Sequence, residues 1–346
     1  MSEEVAGSGG LTPVQALREI GFLLERSRSD TFRVKAYRGA ADALEAMSPA
    51  QLREHQASRT WGTVPGVGPK TATVIAQAMA GQVPAYLQQL REARMPLVEG
   101  GTGMRAAVRG DLHVHSTWSD GGSPLEEMMT TARDLGHEYC AITDHSPRLK
   151  VARGLSAERL REQIEVTRGL GRRLAPFRVL QGIEVDILED GGLDQSDALL
   201  AELDVVVASV HSKLRSDSET MTHRMVRGIA NPRTNVLGHC TGRLVEGERG
   251  TRPPSLFDAE VVFEACRTFG VAVEINSRPE RRDPPTALLQ LAIDMGCLFS
   301  IDTDAHAPGQ LEFQIYGCAR AEELGLDPDR VINTWPVDRL LEFCAR

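Results

Sequence analysis

Six of the nine histidines in this 346-residue chain fall at or just past the ends of five β-prone runs, and few folds could gather them. From residue 110 onward, short β-prone runs at 138–143, 177–185, 203–210, 235–238, 271–275 and 297–301 alternate with longer helical stretches. That alternation predicts βα units and a parallel sheet or barrel. In such barrels functional groups collect at the C-terminal ends of the strands. Histidines and carboxylates carried by separate strands should therefore converge.

The candidates follow in order. In Asp111-Leu112-His113-Val114-His115 the two imidazoles are two residues apart, so an extended strand points both to one face. Asp120 follows in Ser119-Asp120-Gly121, and Asp144-His145 ends a run in Thr143-Asp144-His145-Ser146. Glu184, His211, His239, Asp304 and His306 complete the set. One histidine at a strand end is more often structural, but this many together are hard to explain without a metal. Imidazole and carboxylate without thiolate suit zinc, manganese and iron. Calcium, which prefers oxygen alone, fits poorly.

Composition is that of an ordinary globular protein: 41% of residues are hydrophobic and 25% charged. The net charge of −9 argues against coating nucleic acid by bulk electrostatics. The acidity is uneven, with 11 Lys and Arg against 10 Asp and Glu in residues 1–100 and 28 against 38 beyond. Six scattered cysteines without a CxxC pair indicate neither a disulfide framework nor a thiolate zinc site. With no signal-peptide pattern and no long apolar run, the expected location is the cytoplasm.

Residues 11–95 read as a small all-α module, because Leu17, Ile20, Leu23 and Leu24 recur at helical spacing, as do Ala40, Ala43, Leu44 and Met47. Residues 1–10 are expected to be a disordered tail. The Gly-rich stretch around Gly100, Gly101 and Gly103 reads as part of a linker over 96–108, with the second domain at 109–346.

The order His-x-His, Ser-Asp-Gly, Thr-Asp-His-Ser, Gly-x-Glu-Val-Asp, Ser-Val-His, Gly-His-x-Thr-Gly-Arg and Thr-Asp-Ala-His resembles the PHP (polymerase and histidinol phosphatase) superfamily. The resemblance is closest to the C-terminal PHP domain of bacterial family X DNA polymerases and spans residues 108–345. It implies an α/β fold, a distorted (β/α)7 barrel, and a centre of three divalent ions, Mn2+ or Zn2+ with Fe2+ as a further option. By position the first ion would take His113, His115, Glu184 and Asp304, the second Glu184, His211 and His239, and the third Asp120, His145 and His306. The reaction implied is phosphoester hydrolysis. Asp144 could orient His145, and Arg243 and Arg278 could grip substrate phosphate. Cys240 stands where the polymerase relatives usually have proline, which should alter a turn rather than the metal.

In the first domain, Val64-Pro65-Gly66-Val67-Gly68-Pro69-Lys70 resembles a helix-hairpin-helix, whose glycine turn offers backbone N–H groups to a DNA phosphate. Residues 12–94 resemble the 8-kDa domain of family X polymerases, and Arg33, Lys35, Tyr37, Arg38, Gly66, Gly68 and Lys70 are the implied DNA contacts. Val74 occupies the position of the lyase lysine of that domain, so lyase activity is not expected. The polymerase palm is missing, since the chain runs from about Arg94 directly into Asp111, so polymerase activity is not expected either.

The expectation is a metal-dependent phosphoesterase brought to DNA ends, acting as a 3′-5′ exonuclease, 3′-phosphatase or abasic-site endonuclease in repair. A small-molecule phosphatase of the histidinol-phosphatase type is the alternative, and a non-catalytic DNA-binding protein the second. Metal identity and oligomeric state are not legible in the sequence.

Overall fold

Strands that are buried on both faces need continuous apolar runs rather than alternating ones, and this chain supplies them. In the computed structural model, which describes residues 10–247 and 250–345, seven such runs form strands: β1 (Gly110–Val114), β2 (Tyr139–Ile142), β3 (Arg178–Asp186), β4 (Val205–Ser209), β5 (Val236–Leu237), β6 (Ala272–Asn276) and β7 (Phe299–Asp302). They pair in sequence order, every pair parallel. A parallel bridge from Val114 to Ala305 links the two edges, so the sheet is a nearly closed barrel. The six predicted runs and the Asp111–His115 stretch each overlap one of these strands.

At the N-terminal mouth of the barrel, Leu112, Tyr139, Val205, Val207 and Val236 pack against Ile332, Trp335, Leu340 and Phe343 from the end of the chain. This apolar plug closes one end, and the polar strand ends occupy the other. Close backbone approach explains two glycines near the polar end. A Cβ on Gly238 would lie 2.3 Å from Ser209 Oγ, and one on Gly154 would lie 1.8 Å from the Ser146 carbonyl oxygen.

The chain divides between Pro96 and Leu97 into two compact units. The first is all helical: α1 (Pro13–Arg26), α2 (Thr31–Glu45), α3 (Pro49–Ser58), α4 (Pro69–Met79) and α5 (Ala85–Glu92). Thr12 with Gln15, and Ser48 with Gln51, form capping boxes, each followed by proline at the first helical position. Asp30 caps α2 by accepting from the Phe32 and Arg33 amides. Leu17, Ile20, Leu44, Ile75 and Leu87 are fully buried, each worth about 1.5–3 kcal/mol of transfer free energy.

The Gly-rich stretch behaves otherwise than expected. Residues 102–107 of the anticipated linker form a helix, α6 (Thr102–Ala107), packed within the barrel unit. Glu322 accepts from the Gly101 and Met104 amides at 2.6 and 2.7 Å, and the left-handed Gly101 has room for no side chain. Glycine here serves close packing against the helix Gln314–Glu323 rather than flexibility. The anticipated tail, residues 1–10, lies outside the described residues except for Gly10. Among the described residues no helix is long and apolar enough to cross a membrane.

Candidate metal centre

Glu184, near the end of β3, is the hub of the polar mouth. Its Oε2 lies 3.3 Å from His113 Nε2, 3.5 Å from His115 Nε2 and 2.8 Å from His145 Nδ1. Its Oε1 lies 3.1 Å from His211 Nε2 and 2.8 Å from His239 Nε2. Asp304 Oδ1 faces His115 Nε2 at 3.4 Å and His306 Nδ1 at 3.5 Å. Asp120 Oδ1 lies 3.5 Å from His145 Nε2 and 3.4 Å from His306 Nε2. All nine sequence-predicted ligands therefore meet in one cluster.

Four overlapping groups within it could each hold an ion: His115, Asp120, His145 and His306; His113, Glu184 and His239; His113, His115 and Asp304; and His145, Glu184 and His211. The grouping differs from the one implied by resemblance. His115 joins the outer group, while His211 and His239 separate onto different partners. The interior is also under-bonded. His113 Nε2, both nitrogens of His115, His145 Nδ1, His211 Nε2, His239 Nδ1 and Glu184 Oε2 are buried without a hydrogen-bond partner. Buried polar atoms are nearly always paired, and so many buried imidazole nitrogens without a partner in one cluster suit a divalent cation.

The electrostatics agree. Burial opposes ionisation of Glu184, yet the His211, His113 and His145 rings outweigh it and hold the carboxyl well below its ordinary range. Burial pushes His115 down to about 3, with His306 and His145 adding to the effect. For His211 burial is overcome by Glu184 and Asp186, which raise it to about 9. Neutral and charged imidazoles thus crowd around one carboxylate, an arrangement that a bound cation would relieve.

The comparisons with known proteins bear on this geometry. Residues 111–278 match the family model described as a PHP domain, and residues 12–83 the one described as a helix-hairpin-helix domain. The chain carries a PHP domain. The "DNA polymerase/3'-5' exonuclease PolX" of Bacillus subtilis is 38% identical over 239 residues, 69% of this chain and 41% of the relative, so the match spans well under half of that protein. A probable phosphatase of Thermoanaerobacter sp. is 28% identical over 251 residues, 67% of this chain and 93% of the relative. A crystal structure of histidinol phosphate phosphatase from Lactococcus lactis, with zinc, L-histidinol and phosphate, aligns with a TM-score of 0.45 at 17% identity, over 63% of this chain and 94% of that one. The PHP domain is a metal-dependent phosphoesterase unit.

Behind the cluster of the PHP domain lies a layer of carboxylates that the sequence reading missed. His113 Nδ1 donates to Glu274 at 2.5 Å, and His211 Nδ1 to Asp186. A carboxylate can only accept, so each holds a proton on Nδ1 and would leave Nε2, which faces Glu184, to ligate a bound ion. Glu274 also accepts from the His239 amide at 2.5 Å. A signal for both was present: Asp186 is two residues beyond Glu184, and Glu274 stands in a strand run, each at the period that keeps side chains on one face.

Three sequence expectations are corrected. Asp144 does not orient His145: its oxygens accept from the Ser116 and Ser119 amides and hydroxyls and from Gln163 Nε2, so it braces the loop after β1. Burial raises its pKa, opposed by those donors. Arg243 is not turned to the cluster in its bonded contacts but donates to the carbonyls of Arg281 and Arg282. Arg278 does reach the mouth, with Nη1 3.0 Å from His306 Nδ1 and 3.2 Å from the Asp304 carbonyl. Cys240 is buried with Sγ 3.7 Å from Asp283 Oδ1, outside the four groups.

The third correction falls in the helical unit. Tyr37 is buried and stacks on Tyr86 with ring centroids 5.7 Å apart. Arg38 is buried and pairs with Glu25 through bonds of 2.8 and 2.7 Å. Both are core groups, because the turn of α2 that carries them faces α1. Arg33 and Lys35 are exposed, and Arg33 also lies 5.5 Å from the Tyr86 ring. Trp61, Val64 and Val67 anchor the hairpin, while Gly66 at φ +84°, Gly68 and Lys70 remain exposed at the start of α4. Val74 is buried in the core of this unit.

Proposed function

We propose that the chain hydrolyses phosphate esters at DNA ends, using three divalent ions held by His113, His115, Asp120, His145, Glu184, His211, His239, Asp304 and His306. The set of unpartnered, inward-facing imidazole nitrogens around Glu184 carries the reading. Bound Mn2+, Zn2+ or Fe2+ would supply charge to neutralise phosphate oxygens and acidify water. Glu274 and Asp186 hold two rings in the ligating tautomer. Arg278, only 12% exposed in its side chain, stands beside His306, which with Asp120 is among the most open ligands, and there it can bind a phosphate oxygen.

The DNA substrate rests on the helical unit. Its exposed Gly66 and Gly68 backbone and Lys70 suit a phosphate at the start of α4, and Arg33 and Lys35 add charge. The PolX similarity supports 3′-5′ exonuclease activity, and 3′-phosphatase or abasic-site cleavage would use the same phosphoester chemistry. A small phosphomonoester is the second reading, favoured by the near full-length match to the Thermoanaerobacter phosphatase.

The deciding assay offers oligonucleotides with a recessed 3′-OH, a 3′-phosphate or an abasic site, with Mn2+, beside histidinol phosphate as competitor. Cleavage of a DNA substrate that the competitor leaves untouched and that the His113→Ala/His115→Ala variant loses is expected. Turnover of histidinol phosphate alone would favour the second reading, and full activity in the double variant would sink both.

A further inference from the structure

The nine anticipated ligands explain what touches the ions, but not what aims Asp304. This residue has φ +52°, a backbone conformation that L side chains rarely adopt. Its two oxygens face opposite ways. Oδ1 looks toward His115 and His306, while Oδ2 accepts from Arg281 Nε at 2.9 Å and Asn276 Nδ2 at 3.2 Å. Arg281 is 6% exposed, and its charge lies among Asp304, Glu184, Asp283 and Glu274. A guanidinium buried so deeply among carboxylates is held there by design of the surrounding contacts, since desolvating it is unfavourable unless it is paired.

Those contacts are visible. Arg281 lies in the loop after β6, where its amide donates to the Arg278 carbonyl. Arg243 then donates to the carbonyls of Arg281 and Arg282, gripping the same loop from the strand end that carries His239. The loop therefore presents two arginines with different duties. Arg278 reaches the open edge at His306, and Arg281 points inward to the oxygen of Asp304 that faces away from the other ligands.

We infer that Arg281 is a positioning residue for the metal centre: it engages Asp304 Oδ2 so that Oδ1 alone is offered to an ion, and Arg243 clamps the loop that holds it. The inference rests on the metal-centre reading above and adds to it a device for metal affinity. At 6% exposure, with its Nε on Asp304, Arg281 is set to act through that ligand rather than on substrate. Its loss should therefore change how tightly the ions are held more than the turnover of a fully loaded centre.

The test uses the full chain and Mn2+ as the probe. After stripping with chelator, wild type, Arg281→Met, Arg281→Lys and Arg243→Ala are titrated with Mn2+ calorimetrically, and the Mn2+ dependence of p-nitrophenyl phosphate hydrolysis is followed in parallel. Arg281→Met is expected to bind at least one Mn2+ about 10- to 100-fold more weakly, with kcat at saturating Mn2+ within a few-fold of wild type. Arg281→Lys, which keeps the charge, should regain part of the loss, and Arg243→Ala should show a smaller loss. A purely structural role would lower the melting temperature of the metal-free protein and leave Mn2+ affinity alone, which overturns the inference. If Arg281→Met fails to fold in chelator, the neutral Arg281→Gln decides, and wild-type affinity there overturns it as well. Wild type that binds no Mn2+ would overturn the metal-centre reading together with this one, whereas unchanged affinity in the variants removes this one alone.

Discussion

Each imidazole in the cluster has two nitrogens, and the residue behind it decides which one is available. Glu274 and Asp186 make that decision for His113 and His211, and the residue type alone could not. His137 shows the opposite case, a histidine with no place in the site. It is 4% exposed, and burial, with Arg105 adding to it, pushes its pKa down to about 3 from 6.5. The neutral ring is therefore the native form. Its contribution to stability is complete above pH 6.5 and declines as the pH falls toward 3, because the unfolded chain then binds the extra proton. The loss is up to ~1.4 kcal/mol per pH unit. Urea unfolding at pH 7, 6 and 5 should show a shallower decline for His137→Gln than for wild type. Parallel declines would assign the acid sensitivity elsewhere.

At the level of elements, the strands were legible and the helix α2 only half so. Period-two placement on parallel strands puts Glu184 with Asp186 along one face, and Glu274 with Asn276 along another, so that Asp186 and Glu274 back the cluster. In α2 the basic run looked uniform, yet Arg33 and Lys35 face outward while Tyr37 and Arg38 face α1. Helical period separates them, but only the position of α1 says which side is the inner one. The two kinds of arginine and lysine should behave differently. Lys70→Ala, at the exposed start of α4, should weaken DNA binding about equally across sequences and reduce the salt slope by about 1. Arg38→Met leaves Glu25 buried without its cation and should destabilise the helical unit by about 3–5 kcal/mol. Binding measured at several salt concentrations, together with thermal melts, separates the two effects; equal loss of stability in both variants would contradict this assignment.

For the whole molecule, the two units have separate cores, and among the described residues the metal cluster lies in the barrel unit. Ligand binding to the folded state stabilises by mass action, about 2.7 kcal/mol for each independent site at a hundred times its dissociation constant. Chelator should therefore lower the melting temperature of the barrel transition and leave that of the helical unit in place, with Mn2+ restoring the first. Calorimetric scans with and without EDTA read this directly. A common downward shift of both transitions would mean that the units unfold as one.

The sequence by itself determined the alternation of strand and helix, the strand ends that carry ligands, the all-helical first unit and the glycine hairpin. These are local properties: side-chain period, β-propensity and turn chemistry act over a few residues. The tertiary structure alone decided how the imidazoles share Glu184, why Asp144 belongs to a loop brace, why Gly101 packs instead of bending, and why Arg281 lies beneath Asp304. Each of those depends on a partner from a distant part of the chain. Burial and hydrogen-bond satisfaction choose among such partners only when the barrel has closed.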